Sequence, residues 1–332
     1  MSEQKTTQVS VVIIGAGEHG RNHARAIFSM GGAVRVAGFV EPSEHSRELM
    51  RKFFADHKQD SVPPFFNTLE EFLATHGPAD CAIVISPHSM HADHIVTCLE
   101  SGMDTLAEKP MVVTPEEALR VIRARDATGR FLSVAYPSSY SPGLQKAKEL
   151  IAAGEIGALM SMHAFLAQGW RGKNIGTWRQ IPEISGGGFL FDTGSHTINT
   201  MLELAGSEIA EVAVMQDNRG TPVAVATAMA GRFENGAQFT FCAEGNSGHP
   251  THCQSRVTAV GDKATLMIGS WGDGLRIYRH EKGEEAVAVP AWDWNMLTTF
   301  LQARKGEVAN PCPAENGLRF AVFMEKVRAA VK

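Results

Sequence analysis

The run VSVVIIGAGEHG, residues 9–20, constrains the fold of this chain more than any other stretch. A block of branched apolar residues meets Gly15, Gly17 and Gly20 and passes directly into the amphipathic run EHGRNHARAIFSM. This order predicts a buried strand, a tight turn and a helix. The first glycine makes the turn, the second lets backbone approach a pyrophosphate, and the third lets helix and strand pack closely. The helix N-terminus then offers unpaired N–H groups and a positive dipole end to phosphates. Three glycines alone are a weak signal; their place between a strand and a helix makes it a strong one.

The same alternation continues. VRVAGFV leads into SEHSRELMRKFFADH, CAIVIS into HADHIVTCLESG, MDTLA into TPEEALRVIRARDATG, and FLSVAY follows. Strands that are apolar throughout, rather than at every second position, are buried on both faces, which requires a parallel sheet covered by helices. Residues 1–134 are therefore expected to form an α/β, doubly wound Rossmann domain. An acidic residue should close the second strand, and Glu41 stands there. Its carboxylate would accept bonds from ribose hydroxyls and repel a 2′-phosphate, favouring NAD. Ser43 and Arg47 lie close enough to leave NADP open.

At 332 residues the chain is long for one core, and its texture changes after residue 134. SPGLQKAKELIAAGEIG reads as one amphipathic helix. From about 157 to 290 come ALMSMHAFLAQ, EIAEVAVMQDN, VAVATAMAGRF, AQFTFCAEGN, SRVTAVG, ATLMIGS and LRIYRH, separated by turn signals such as ENG, GDK and WGDG. RFENGAQFTF is expected to be a hairpin, with Asn235 and Gly236 both at positive φ. Residues 135–332 thus predict an α+β domain with a large, mostly antiparallel open sheet, one helix near 192–205 and others after 293.

A net charge of −5 argues against a nucleic-acid groove. No apolar run approaches the ~18 residues of a membrane span, and the polar N-terminus lacks a secretory leader. A cytoplasmic location is the expectation. The five cysteines show no paired spacing. GNSGHPTHCQ groups His249, His252 and Cys253 but offers no second ligand pair, so no metal is expected.

Taken together, GAGEHGRNHARAI, ISPHSMHADHIVTCLESGMDTLAEKPM, LIAAGEIGAL, SGGGFLFDTGSH and NGLRFAVFMEKV resemble the glucose–fructose oxidoreductase/inositol dehydrogenase (Gfo/Idh/MocA) family over nearly the whole length. The resemblance implies a nicotinamide-dependent enzyme that oxidises or reduces a secondary carbinol of a sugar, sugar acid or cyclitol. It also implies a homodimer or homotetramer joined through the C-terminal sheet. Glu18, His19, Ser86, Pro87, His88, His91 and Glu108 would border the cofactor with the glycines. His88 stands where the family usually has asparagine, and Tyr136 and Tyr140 stand where it often has arginines. Tyr136 is accordingly a substrate candidate.

Oxidation of a carbinol needs a base for the hydroxyl proton and a group to hold the developing alkoxide. Lys109, in the Glu108-Lys109-Pro110 signature after the fifth strand, is placed where ligands bind in such sheets. Asp192 and His196, four apart, are expected on one face of a helix starting near Gly188. His196 is the candidate base, and the family resemblance implies that Asp192 binds a substrate hydroxyl or orients the catalytic group. Trp178 and Arg179 are candidate substrate contacts, an indole for a sugar face and a guanidinium for hydroxyls or a carboxylate. Two further readings use the same motifs. One is a redox-neutral enzyme that recycles a tightly held cofactor, and the other a non-catalytic NAD-binding sensor.

Overall fold

The computed structural model describes residues 8–248 and 253–331. Six strands, β1 (Val9–Ile14), β2 (Val34–Val40), β3 (Phe65–Phe66), β4 (Cys81–Val84), β5 (Asp104–Ala107) and β6 (Leu132–Val134), form one sheet. Its order is β3-β2-β1-β4-β5-β6, and every pairing is parallel. The chain reverses direction across the sheet between β1 and β4, so ligands are expected at the C-terminal ends of those strands. Residues 11–14 and 81–84 are sealed from solvent, which is why these strands read as unbroken apolar runs. The two-residue edge strand β3 has no such run and was not anticipated.

Helices α1 (Glu18–Phe28), α2 (Glu44–Asp56), α3 (Leu69–His76), α4 (His91–Glu100) and α5 (Pro115–Thr128) flank this sheet. The side chains of Ser43, Thr68 and Thr114 cap α2, α3 and α5 by accepting a backbone N–H. Caps of this kind contribute about 1 kcal/mol each. Helix α1 begins at Gly17 with no side-chain cap. Its first amides are left for another acceptor.

The second unit contains α6 (Pro137–Tyr140), α7 (Pro142–Ala152), β7 (Leu159–Ala167), α8 (Trp170–Lys173), α9 (Pro182–Ser185), α10 (Gly188–Asp192) and α11 (Gly194–Ala205). Then come β8 (Ile209–Asp217), β9 (Ala226–Phe233), β10 (Gln238–Glu244), β11 (Gln254–Gly261), β12 (Ala264–Ile268), β13 (Arg276–Arg279) and β14 (Gly283–Ala286). The chain ends with α12 (Met296–Ala303) and α13 (Ala314–Ala330). The eight strands are ordered β14-β13-β12-β11-β7-β10-β9-β8, and only β7–β10 is a parallel pair. Strand β10 alternates exposed and buried residues along its length, so one face of the sheet packs inward and the other faces out. Every residue of α11 is buried beneath the inner face.

Three expectations need correction. The β9–β10 connection is a hairpin, but only Gly236 has positive φ, at 89°. Phe233 donates to Ala237 O across a three-residue loop with Gly236 in the left-handed position, which spares Asn235 that conformation. The helix expected to carry both Asp192 and His196 is broken at Thr193 into α10 and α11. The C-terminal segment also returns to the first sheet. There Phe300 packs on Phe131 with ring centroids 5.5 Å apart, Arg304 pairs with Asp104 at 2.8 Å, and Val134 donates to Cys312 O. Among the described residues no helix is long and apolar enough to cross a membrane.

Candidate active site

The β1–α1 loop explains its glycines sterically. A Cβ at Gly15 would lie 2.7 Å from Ile85 O, and one at Gly20 would lie 2.4 Å from Gly15 O. At Gly17 a Cβ would meet nothing within 4 Å. Backbone there faces open space at the uncapped start of α1, which fits the pyrophosphate of a dinucleotide. Glu41 closes the far end of this cradle. Its carboxylate accepts from Ala16 N and from Ser43 N, each at 2.9 Å. Arg47 turns its guanidinium to Glu41 O and Asn67.

A cleft continues from Gly17, Glu18 and His19 past Ser86 and His88 to Glu108, Lys109 and Asp192. His91 lies at its edge with Nδ1 2.9 Å from Pro110 O and Nε2 2.7 Å from Ser86 O, and the neutral ring donates to one of these carbonyls. Pro87 starts the short turn that carries His88. Glu108 is buried. Its carboxylate meets His23 at 2.7 Å and accepts from Lys109 N at 3.2 Å. Burial pushes its pKa up, but His23, His19 and Lys109 outweigh that and hold it well below the usual carboxylate range.

Lys109 follows β5, and the Lys109–Pro110 peptide is cis. Its Nζ donates to Asp192 O at 3.0 Å and to Asp192 Oδ1 at 3.3 Å. The other carboxylate oxygen accepts from Trp170 Nε1 at 2.8 Å and Arg179 Nε at 3.1 Å. Burial raises the Asp192 pKa, yet Lys109, Arg179 and His88 together hold it well below the normal range. Each of its carboxylate oxygens already accepts from a protein donor, which fits orientation of Lys109. His88 donates Nδ1–H to Ser185 O at 2.7 Å, and burial pushes its pKa down to about 3 despite Asp192. It is a neutral ring joining the two units.

His196 enters from the first turn of α11. The imidazole packs on Trp271, with centroids 4.9 Å apart, and edge-on to Tyr136. Burial, reinforced by Lys109, holds its pKa well below the usual value. It is therefore neutral near pH 7 and able to accept a proton. Its Nδ1 is sealed and unpartnered, which leaves Nε2 as the nitrogen toward the cavity. That cavity, about 240 Å³, is walled by Lys109, His196, Gln168, Asn174, Thr193 and Trp271 among others.

The break between α10 and α11 does not separate Asp192 from His196, since both line this cavity. Gly188 makes the geometry possible. Its φ is +71°, Phe189 N reaches Ala224 O, and a Cβ would lie 2.2 Å from that oxygen.

Trp178 and Arg179 sit at the mouth, the guanidinium 4.4 Å over the indole, and Trp178 packs edge-on against His88. Tyr136 is placed otherwise. It is fully buried behind His196, with an unpartnered hydroxyl, and does not line the cavities. Trp271 was missed as a cavity-lining residue because WGDG reads as a turn, and Gln168 because nothing in its neighbourhood marks it. Of the His249, His252 and Cys253 loop, the two histidines lie outside the described residues.

Fold and site thus define a dinucleotide-binding α/β domain whose strand-end lysine shares a cavity wall with a buried histidine from a second, sheet-built domain. Residues 9–136 match the oxidoreductase family with an NAD-binding Rossmann fold, and residues 144–267 match the GFO/IDH/MocA C-terminal domain. The chain belongs to the GFO/IDH/MocA oxidoreductase family.

It is similar to inositol 2-dehydrogenase of Streptomyces avermitilis, 22% identical over 97% of this chain and 92% of that protein. It is also 29% identical to 1-carboxy-3-chloro-3,4-dihydroxycyclohexa-1,5-diene dehydrogenase of Comamonas testosteroni, over 54% of this chain and 44% of that one. Several such curated relatives are spanned for only about half their length. Among solved structures, the WlbA dehydrogenase from Bordetella pertussis, in complex with NADH and UDP-GlcNAcA, shares the fold with a TM-score of 0.81. It is 18% identical, covering 97% of this chain and 96% of that one.

Proposed function

We propose that the protein is an NAD-dependent dehydrogenase or reductase acting on a secondary carbinol of a sugar, sugar acid or cyclitol. One observation carries the reading. Lys109 from the nucleotide-binding unit and the neutral His196 from the sheet-built unit wall the same cavity, and that cavity shares His19, Lys109 and Asp192 with the cleft lined by Gly17 and His88. Lys109 donates to the carbinol oxygen and stabilises the negative charge that develops there. His196 Nε2 takes the hydroxyl proton in oxidation and returns it in reduction. Asp192 keeps the Lys109 ammonium aimed, and Arg179 with Trp170 keeps Asp192 in place. NAD bound along the glycine loop supplies the hydride acceptor. The carboxylate of Glu41, set against the ribose end of that site, disfavours a 2′-phosphate.

The test is reduction of NAD and NADP, followed by absorbance, with aldoses, sugar acids and inositols offered to wild type and to His196→Ala. Turnover in wild type that falls about 10²- to 10⁴-fold in the variant is the expected result. Undiminished turnover in the variant would overturn the assignment. A cofactor that survives purification and is never released as NADH would instead favour the redox-neutral reading.

The outward face of the second sheet presents Phe165 and Met215, of which Met215 is 74% exposed. These large apolar side chains support assembly of two or four copies through that face. Light scattering on the wild type and on Met215→Glu checks this, with dissociation expected in the variant.

A further inference from the structure

Beside the cavity that holds Gln168 and Asn174 lies a second one of nearly equal size, about 230 Å³. The two share His19, Lys109, His196 and Trp271, so the proton-handling pair stands where they meet. The second is closed by α1 on one side and by Trp294, Asn295 and Met296 at the start of α12 on the other. Three features mark its wall, although Asp293, which accepts from Asn295 N at 3.0 Å, helps to hold the turn at Trp294. Trp294 is held at φ +62° although half exposed, a conformation that costs a bulky residue about 1–2 kcal/mol. Its indole is steadied by Trp292, with centroids 4.6 Å apart. The amide oxygen of Asn295 is buried without a hydrogen-bond partner, and this side chain does not cap the helix it precedes. A strained exposed indole, a second indole at Trp271 and an idle acceptor together match one kind of occupant, a flat-faced ring bearing hydroxyls.

We infer that the substrate carries two rings. Resting on the dehydrogenase reading above, the ring to be oxidised lies at Lys109 and His196. The cavity at Trp294 and Asn295 takes a second sugar unit, joined by a glycosidic bond and not itself oxidised. The chemical class is a disaccharide, or a glycoside with a hydroxylated cyclic aglycone. The walls of the second cavity combine the first unit, the returning C-terminal segment and, through His196 and Trp271, the sheet-built unit.

The experiment compares kcat/KM for matched pairs, glucose with cellobiose and maltose and galactose with lactose, in wild type, Trp294→Ala and Asn295→Ala. The expected result is a disaccharide preference of at least about tenfold that shrinks about tenfold or more in either variant. Equal efficiency within each pair, or a preference that neither variant changes, would overturn the second sugar site while leaving the dehydrogenase reading intact. No reduction with any pair would count against the dehydrogenase reading. The cavity is then judged by calorimetric binding of cellobiose, maltose and lactose in the presence of NADH. Binding that weakens about tenfold in Trp294→Ala supports it, and absent or unaltered binding overturns it.

Discussion

Asp192 accepts hydrogen bonds from Trp170 and Arg179 on one oxygen and from Lys109 on the other, all in a nearly dry setting. Its charge is what holds two cations side by side. In Asp192→Asn the shape persists but the charge does not, so Lys109 and Arg179 repel and the ammonium drifts from its line to the carbinol oxygen. A displacement of about 1 Å in such a group costs about a hundredfold in rate. The expected outcome is a fall of that order in kcat with little change in KM for NAD. Steady-state kinetics with both substrates varied checks it, and an unchanged kcat would return Asp192 to a purely structural role. Glu41 acts at the other end of the cleft. Because its carboxylate holds Ala16 N and Ser43 N, Glu41→Ala disturbs the loop for any dinucleotide, so the informative quantity is a ratio. The preference for NAD over NADP, measured as a kcat/KM ratio, is expected to fall about tenfold or more once the carboxylate no longer repels a phosphate.

At the scale of elements, the short helix α10 places Asp192, and its position depends on the backbone of Gly188 lying against Ala224. Gly188→Ala combines φ +71° with a Cβ 2.2 Å from a carbonyl oxygen. Strain and overpacking together are expected to destabilise by about 2–4 kcal/mol and to displace Asp192. Gly206, which ends α11 at φ +55° with nothing within 4 Å of a Cβ, is the matched control. Gly206→Ala is expected to cost about 1 kcal/mol and to leave kcat alone. Urea midpoints and kcat for both variants check the contrast.

These elements also show what a sequence discloses. β1, β4 and the β9–β10 hairpin were legible because apolar run length and turn chemistry are local properties. That Lys109, Asp192 and His196 come to one cavity was legible from telling neighbours in the sequence. The break at Thr193 was not, because helical spacing continues across it. Nor were Trp271 and Trp294, whose places depend on β12–β13 and α12 folding back over α1. Tyr136 failed in the opposite sense, since an aromatic beside a site can as easily support it from behind.

Over the whole molecule, the two units are held together by contacts that cross the cleft. His88 Nδ1–H reaches Ser185 O, Arg328 reaches both Val113 O and Gly186 O, and Lys173 pairs with Glu18 at 3.2 Å. Several histidines at this seam are buried in neutral form. His88, His91 and His196, with His94 nearby, all have pKa values lowered chiefly by burial, that of His88 to about 3. An unfolded chain protonates these rings near pH 6.5, whereas the folded one does not until lower pH. Between those limits the unfolded state binds more protons, so stability falls as pH falls. Each histidine contributes a slope of about 1.4 kcal/mol per pH unit while its window is open. Asp192 and Glu108, whose folded pKa values are depressed, keep their stabilising effect through this range and lose it only as pH falls through those values. Urea unfolding is therefore expected to show full stability at about pH 7.5 and a steep decline from about pH 6.5 to 5, before carboxylates titrate. His88→Gln, which keeps an amide donor for Ser185 O and removes the titrating ring, is expected to flatten that decline by about one proton's worth of slope. A wild-type profile that is level between pH 7.5 and 5 would mean that these rings are solvated or charged in the folded protein. His196 would then not be the neutral proton acceptor on which the proposed reaction depends.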